Sequence, residues 1–332
     1  MEQGVLQLTL RWDGGHILAA GVASTRPAVA RVLRGLPLAR VLEFVPRLFS
    51  LCRCAQDAAA RLSLQAARGQ GPALAASAAQ TLAVALEAIG EHLWRLLLDW
   101  PPLCGQPSRK SEFLLWRKRL QGVVDAAAAT ALGTCLLDWL DSERPPLFDD
   151  CSTGAPVALL PRLAAADWGA HFDSDVLCEL PTFAGQPAET GALARHAEDA
   201  QVAPLIAFGQ RLQARLAARH ADLRWLAQGL VQPARLSAWL DAAMVAEGCG
   251  LARVETARGT LLHRIELDGE RVASYRIVAP TEWNFHPEGP LTRGLLGARV
   301  AEAAGPPVRR AVALLATALD PCVGFELVVD ES

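Results

Sequence analysis

Lysine is nearly missing from this chain, with only Lys110 and Lys118 among 32 basic residues. Nor is there an excess of positive charge, since the formal charge is -3 and the pI is near 6.2; a nucleic-acid partner, which needs an electropositive face, is excluded. Long hydrophobic runs are absent as well. ALAASAAQTLAVALEAIG and DAAAATALGTCLLDWL are broken by Ser, Gln, Glu, Thr or Asp before they reach the roughly 20 apolar residues of a membrane span, so core helices and no membrane are expected. The opening MEQGVLQLTLRWDGG lacks the basic-then-apolar order of a secretory signal, which leads us to expect a cytoplasmic protein. The eight cysteines, at 52, 54, 104, 135, 151, 178, 249 and 322, include no CxxC pair. Zinc knuckles and thioredoxin-type sites are thereby removed, and reduced thiols are the default. The seven histidines show no metal-ligand spacing, and His16, His92, His171, His196 and His220 read as surface or satisfied polar groups.

What the chain does have is 52% hydrophobic residues over 332 positions, ample for a sizeable core. Residues 5–22 alternate as two strands around WDGG. Apolar residues then recur at three- and four-residue spacing over 26–36, 41–64, 73–100 and 111–140, with breaks at GQGP, PPLCGQP and ERPP. Irregular text follows from Cys151 to Gly191, and helices are expected again from Leu193 to about Ala246. TLLHRIEL, DGE and RVASYRIV read as a hairpin, and a last helix lies around 309–318. With no repeat or linker, the expectation is one mainly α domain with a small β component (α+β): a β hairpin over 1–22, a helical bundle over 23–250, and a hairpin, loop and cysteine segment over 251–332. The basic stretch SRKSEFLLWRKRL reads as the solvated side of an amphipathic helix whose core face is Phe113, Leu114 and Leu120.

Near the end, ALDPCVGFELVVDES places Cys322 after Asp320 and Pro321, opening a strand-like segment. Asp-Pro-Cys has the look of a ligand loop, and a second thiol is on offer in RLFSLCRCAQ as Cys52 or Cys54. Any one of these cysteines also reads as a small buried hydrophobe.

Five ordered blocks carry a resemblance. The large subunit of nickel-iron hydrogenases has an N-terminal Arg-x-Cys-Gly-x-Cys with a His four residues on, and a C-terminal Asp-Pro-Cys-x-x-Cys-x-x-His. Here the positions read Arg47, Phe49, Cys52 and Gln56, then Asp320, Pro321, Cys322, Phe325 and Val328. LPTFAGQPAETGALAR is similar to a further block through Pro181, Gly185, Pro187, Glu189, Gly191, Leu193, Ala194 and Arg195. ETARGTLLH matches another through Glu255, Arg258, Gly259, Leu261 and His263, and VAPTEWN resembles the fifth. The departures matter most. Of the family's four thiolate positions two are phenylalanine, Phe49 and Phe325, and phenylalanine cannot coordinate a metal; two thiolates are too few for the family's nickel. The proton-relaying Glu aligns with Gln3, whose amide cannot exchange protons as a carboxylate does.

The iron side is kept. The resemblance implies that Arg258 and Thr281 face the cyanides of an iron carrying cyanide and carbon monoxide, with Ala279 and Pro280 as an apolar wall. Hydrogenase-like blocks with half the ligands missing resemble the HupK/HoxV family of hydrogenase maturation proteins. That resemblance implies a scaffold, not an enzyme, which transiently holds an iron-dicyano-carbonyl unit through Cys52 and Cys322, with Cys54 as an additional or exchange thiol, and takes no nickel. The implied partners are the large-subunit precursor and a donor complex of maturation chaperones; the alternative is a metal-free assembly chaperone. A helix starting near Cys52 is expected to favour its thiolate. Ending four residues past Val328, the chain is expected to offer a maturation protease no extension.

Overall fold

The computed structural model describes residues 4–27, 29–49, 51–69, 73–143, 156–172, 175–300 and 306–331. Gln3 and Cys151 lie outside them. Strands β1 (Leu6–Trp12) and β2 (Ile17–Ser24) form the expected hairpin. The alternation in β1 is complete, with Leu6, Leu8, Leu10 and Trp12 buried and the residues between them exposed. A third strand, β10 (Phe325–Glu331), runs parallel to β1 on its other side, with Leu6 opposite Phe325.

The expected helix over 41–64 is two helices, α1 (Leu38–Leu48) and α2 (Arg53–Ala67). Pro46 lies inside α1, where it removes a backbone donor, and Phe49 leaves in an extended conformation. The stretch 73–100 holds a short strand, β3 (Ala73–Ala75), and α3 (Ala78–Trp94), which opens with a Ser77/Gln80 capping box. Beyond Trp94 the helix widens to a π turn over Arg95–Asp99. Residues 111–140 again split, into α4 (Lys110–Gln121) and α5 (Ala126–Ser142), the latter capped by Asp125 accepting from Ala128 N at 2.8 Å. In α4 the buried residues are Phe113 and Trp116, whereas Leu114 is exposed. A short parallel pair, β4 (Ala158–Leu159) with β5 (Ala188–Glu189), follows, then the long helix α6 (Arg211–Val231).

Helix does not continue to Ala246. The chain enters a five-stranded sheet of order β3-β6-β7-β8-β9, with β6 (Leu240–Ala246), β7 (Cys249–Thr256), β8 (Gly259–Asp268) and β9 (Arg271–Val278). The expected bundle over 23–250 therefore contains β6 and the start of β7. The reason is visible in β6, where Ala242 and Ala243 are buried side by side, so the period-two alternation by which strands are recognised is broken; β7 is buried at every position. The alanine-rich face of α2, with Ala55, Ala58, Ala59 and Ala66 buried, lies on this sheet. Contact is backbone to backbone at Gly250, where a Cβ would fall 2.0 Å from Ser63 O. Two helices complete the frame: the short α7 (Pro280–Asn284) after β9, and α8 (Pro306–Leu319) before β10. No helix among the described residues is long and apolar enough to cross a membrane.

Candidate functional site

Helix α8 ends at Leu319, and Asp320 turns the chain in a left-handed conformation (φ 57°) that Asp tolerates better than most residues. The end of α8 and the residues that follow it up to Cys322 are held by side chains from elsewhere in the chain. Ala318 O accepts from Arg219 Nη2 at 3.2 Å, and Leu319 O from Asn284 Nδ2 at 3.2 Å. Asp320 accepts from Arg95 Nε at 2.7 Å and Arg219 Nη1 at 2.9 Å, and Pro321 O accepts from Arg95 Nη2 at 3.1 Å. Cys322 N donates to Thr281 Oγ1 at 3.3 Å, and the Thr281 hydroxyl donates to Cys322 Sγ at 3.2 Å. Burial pushes the Asp320 carboxyl up, but Arg95, Arg258 and Arg219 together hold it well below the usual carboxylate range.

Cys52 sits in the break between α1 and α2, at the N-cap of α2. The first free amides of α2, Cys54 N and Ala55 N, donate to the Glu87 carboxylate of α3 at 2.7 and 3.0 Å, so the helix terminus is satisfied from a neighbouring helix. Although Cys52 keeps some surface, burial pushes its thiol up to about 12, aided by Cys322 and Glu91 and opposed by Arg258. The thiolate-favouring effect expected of a helix start is thus overruled by desolvation. Gln56, at the histidine position of the hydrogenase motif, donates to Cys52 Sγ at 3.7 Å and accepts from His263 Nε2 at 2.8 Å.

The two chain ends meet at a cleft of about 1160 Å3 whose wall includes Cys52, Cys322, Phe49 and Ala279, together with Arg26, Glu282 and Cys178. Arg258, in the turn between β7 and β8, is buried, and its charge opposes the rise of the Cys52 thiol. Its Nη1 donates to Glu91 Oε2 at 2.6 Å, while its Nε lies 3.4 Å from Asp320 Oδ1 and has no hydrogen-bond partner. Close backbone packing puts it there: a Cβ on Gly191 would fall 2.8 Å from Arg258 O, and one on Gly259 2.5 Å from Thr190 Cγ2. Burial raises the Glu91 carboxyl to about 7, with Arg258 opposing.

Other expected positions fall elsewhere. Cys54 lies beside Glu87, off the cleft wall. Pro280 is buried as the first residue of α7. Phe325 packs under β1, and Val328 is exposed on β10. Among the described residues no group of three or more His, Cys, Asp or Glu is arranged to hold a metal ion.

Behind the loop runs a buried ionic belt. Asp222 Oδ2 accepts from Arg195 Nη2 at 2.6 Å and pairs with His92 Nε2 at 2.8 Å, and its Oδ1 meets Arg195 Nε at 3.0 Å and His196 Nε2 at 2.8 Å. Arg195 also donates to Glu255 at 2.8 Å. Arg219 Nη1 approaches His92 Nδ1 at 3.0 Å. An arginine can only donate, so Nδ1 accepts and the proton of a neutral His92 sits on Nε2, facing Asp222; burial lowers the His92 pKa accordingly. Of the two readings open for His92 and His196, surface or satisfied polar group, the structure shows the second; Glu91, Arg95, Arg219 and Asp222 carry no sequence signal, because these contacts join residues distant in sequence.

The nickel-dependent hydrogenase family matches residues 209–324. Over 363 aligned positions the chain is 33% identical to the hydrogenase expression/formation protein HupK of Bradyrhizobium diazoefficiens, covering 97% of this chain and 96% of that protein. It is 30% identical to the hydrogenase expression/formation protein HoxV of Cupriavidus necator, covering 94% and 93%. The fold is similar to that of the NiFeSe hydrogenase of Desulfovibrio vulgaris Hildenborough, with a TM-score of 0.69 at 14% identity over 94% of each chain.

Proposed function

Because the chain belongs to the HupK/HoxV family of hydrogenase expression/formation proteins, we propose that it acts in hydrogenase maturation as a non-catalytic cytoplasmic scaffold. Its cargo is an iron-dicyano-carbonyl unit, received from a donor complex of maturation chaperones and passed to a nickel-iron hydrogenase large-subunit precursor. The observation that carries this reading is that Cys52 and Cys322 line one cleft, with the buried Arg258 guanidinium near enough for its charge to act on Cys52. Two soft thiolates suit an iron that brings its remaining ligands with it, and a nickel site of the hydrogenase kind would need more of them. A guanidinium aimed at an anionic cyanide nitrogen supplies a charge-assisted bond. Thr281, whose hydroxyl binds Cys322 in the free protein, turns to a cyanide when the thiolate takes iron. With the Cys52 thiol raised to about 12, ligation by Cys52 releases a proton.

Infrared spectroscopy and metal analysis of the protein co-produced with its maturation partners test this. Metal-bound cyanide and carbon monoxide bands with substoichiometric iron and no nickel are expected. Tightly bound nickel, or hydrogen uptake by the chain alone, would overturn the reading, and full support of maturation without bands would favour a metal-free chaperone.

A further inference from the structure

We infer that Arg95 is the positioning residue of this site: by binding Asp320 and Pro321 it fixes the Cys322 loop and keeps Arg258 Nε from closing on Asp320 Oδ1.

Two prolines shape the turn that carries Arg95. Pro101 and Pro102 have no N–H to give to the carbonyls four residues before them, and their rings crowd that turn. The helix answers by widening over Arg95–Asp99, closed by Trp100 N donating to Arg95 O, and the Leu97 carbonyl is taken up by Arg109 N at 2.7 Å. π turns of this kind re-aim side chains and are frequent at functional sites. Here the widened turn presents Arg95 to the loop 225 residues later in sequence. Asp99, four residues on, binds Arg95 Nη1 and steadies the guanidinium. With Nε on Asp320 Oδ1 and Nη2 on Pro321 O, Arg95 grips the two residues preceding Cys322.

Asp320 Oδ1 faces two guanidinium Nε atoms. Arg95 Nε reaches it at 2.7 Å, whereas Arg258 Nε stands 3.4 Å away and makes no hydrogen bond. Asp320 Oδ2 is taken by Arg219. If Arg95 is removed, the oxygen it held is open and Arg258 Nε is the nearest donor to close on it. The cation that should face the cargo would then be spent on the protein.

Two readouts test this, one of which rests on the scaffold reading and one of which does not. In the cargo-free full chain, alkylation of Cys322 by iodoacetamide, followed by mass spectrometry, should quicken roughly tenfold in Arg95→Leu from the loss of two hydrogen bonds. Arg95→Lys keeps the charge but not the fork and should fall between. In the cargo-loaded chain, Arg95→Leu should displace the cyanide stretches in the same direction as Arg258→Leu. An unchanged alkylation rate with the fold intact by circular dichroism overturns the inference. So do unmoved cyanide bands where Arg258→Leu moves them. Should Arg95→Leu not fold, Arg95→Lys decides by the same criteria. If wild type shows no bands at all, the scaffold reading fails and the alkylation rates alone decide the role of Arg95.

Discussion

Asp222 and Arg258 are both buried charges, but their surroundings differ. Both Asp222 oxygens are taken up, by Arg195, His92 and His196. Around Arg258 the accounts stay open, with its Nε and Glu91 Oε1 lacking partners. A closed network costs much to break and offers nothing to a newcomer. An open one costs stability to keep and retains capacity to bind.

The sharpest way to break the comparison is Asp222→Ala. It removes the shared acceptor of Arg195, His92 and His196 and leaves Arg195 with Glu255 alone as its buried counter-charge, and urea unfolding should show a loss of about 3 kcal/mol; a loss below about 1 kcal/mol would mean that the belt does not hold the fold. On the open side the order reverses. Cys52→Ala and Cys322→Ala should each abolish the infrared bands of the loaded chain while costing no more stability than a small truncation, whereas Cys54→Ala and Cys135→Ala, both off the cleft wall, should keep the bands. Equal behaviour of all four would remove the ligand assignment. Arg258→Leu should lower cargo retention roughly ten- to a hundredfold, as expected for one charge-assisted bond, and shift cyanide stretches more than the carbon monoxide stretch; wild-type bands and full retention would make the pocket vestigial.

The smallest effect concerns Glu91. Burial raises its carboxyl from 4.5 to about 7, so the folded chain holds a proton that the unfolded chain releases. The associated stability is present below pH 4.5 and is lost as pH rises through about 7. Glu91→Gln removes this titration, so the variant's melting temperature should improve relative to wild type between pH 5 and pH 7.5. A difference that does not change with pH would contradict the raised value.

How legible was all this in the sequence? Hairpins announced themselves through alternation, as at Leu6, Leu8 and Leu10, and the helices through spacing, although Pro46 and the Gly122–Asp125 break divided two of them. Strand β7 was unreadable because Arg253 and Glu255 are buried as ion pairs, so polar residues appear where alternation would predict solvent. The motif resemblance singled out Cys52, Cys322, Arg258 and Thr281, and the fold brings the two thiols to one cleft. It could not supply Glu91 or Arg95, whose meaning comes from partners 167 and 225 residues away. Nor could it foresee that Glu87 would satisfy the start of α2.

The parallel pairing of β10 with β1 has a consequence for biosynthesis. On the ribosome β1 and β2 emerge early, but the strand that completes their sheet, and the loop that carries Cys322, emerge only after β9 has been made. Until then one edge of β1 stays open to wrong pairings. A prematurely terminated chain thus lacks the closing strand and the Cys322 loop together.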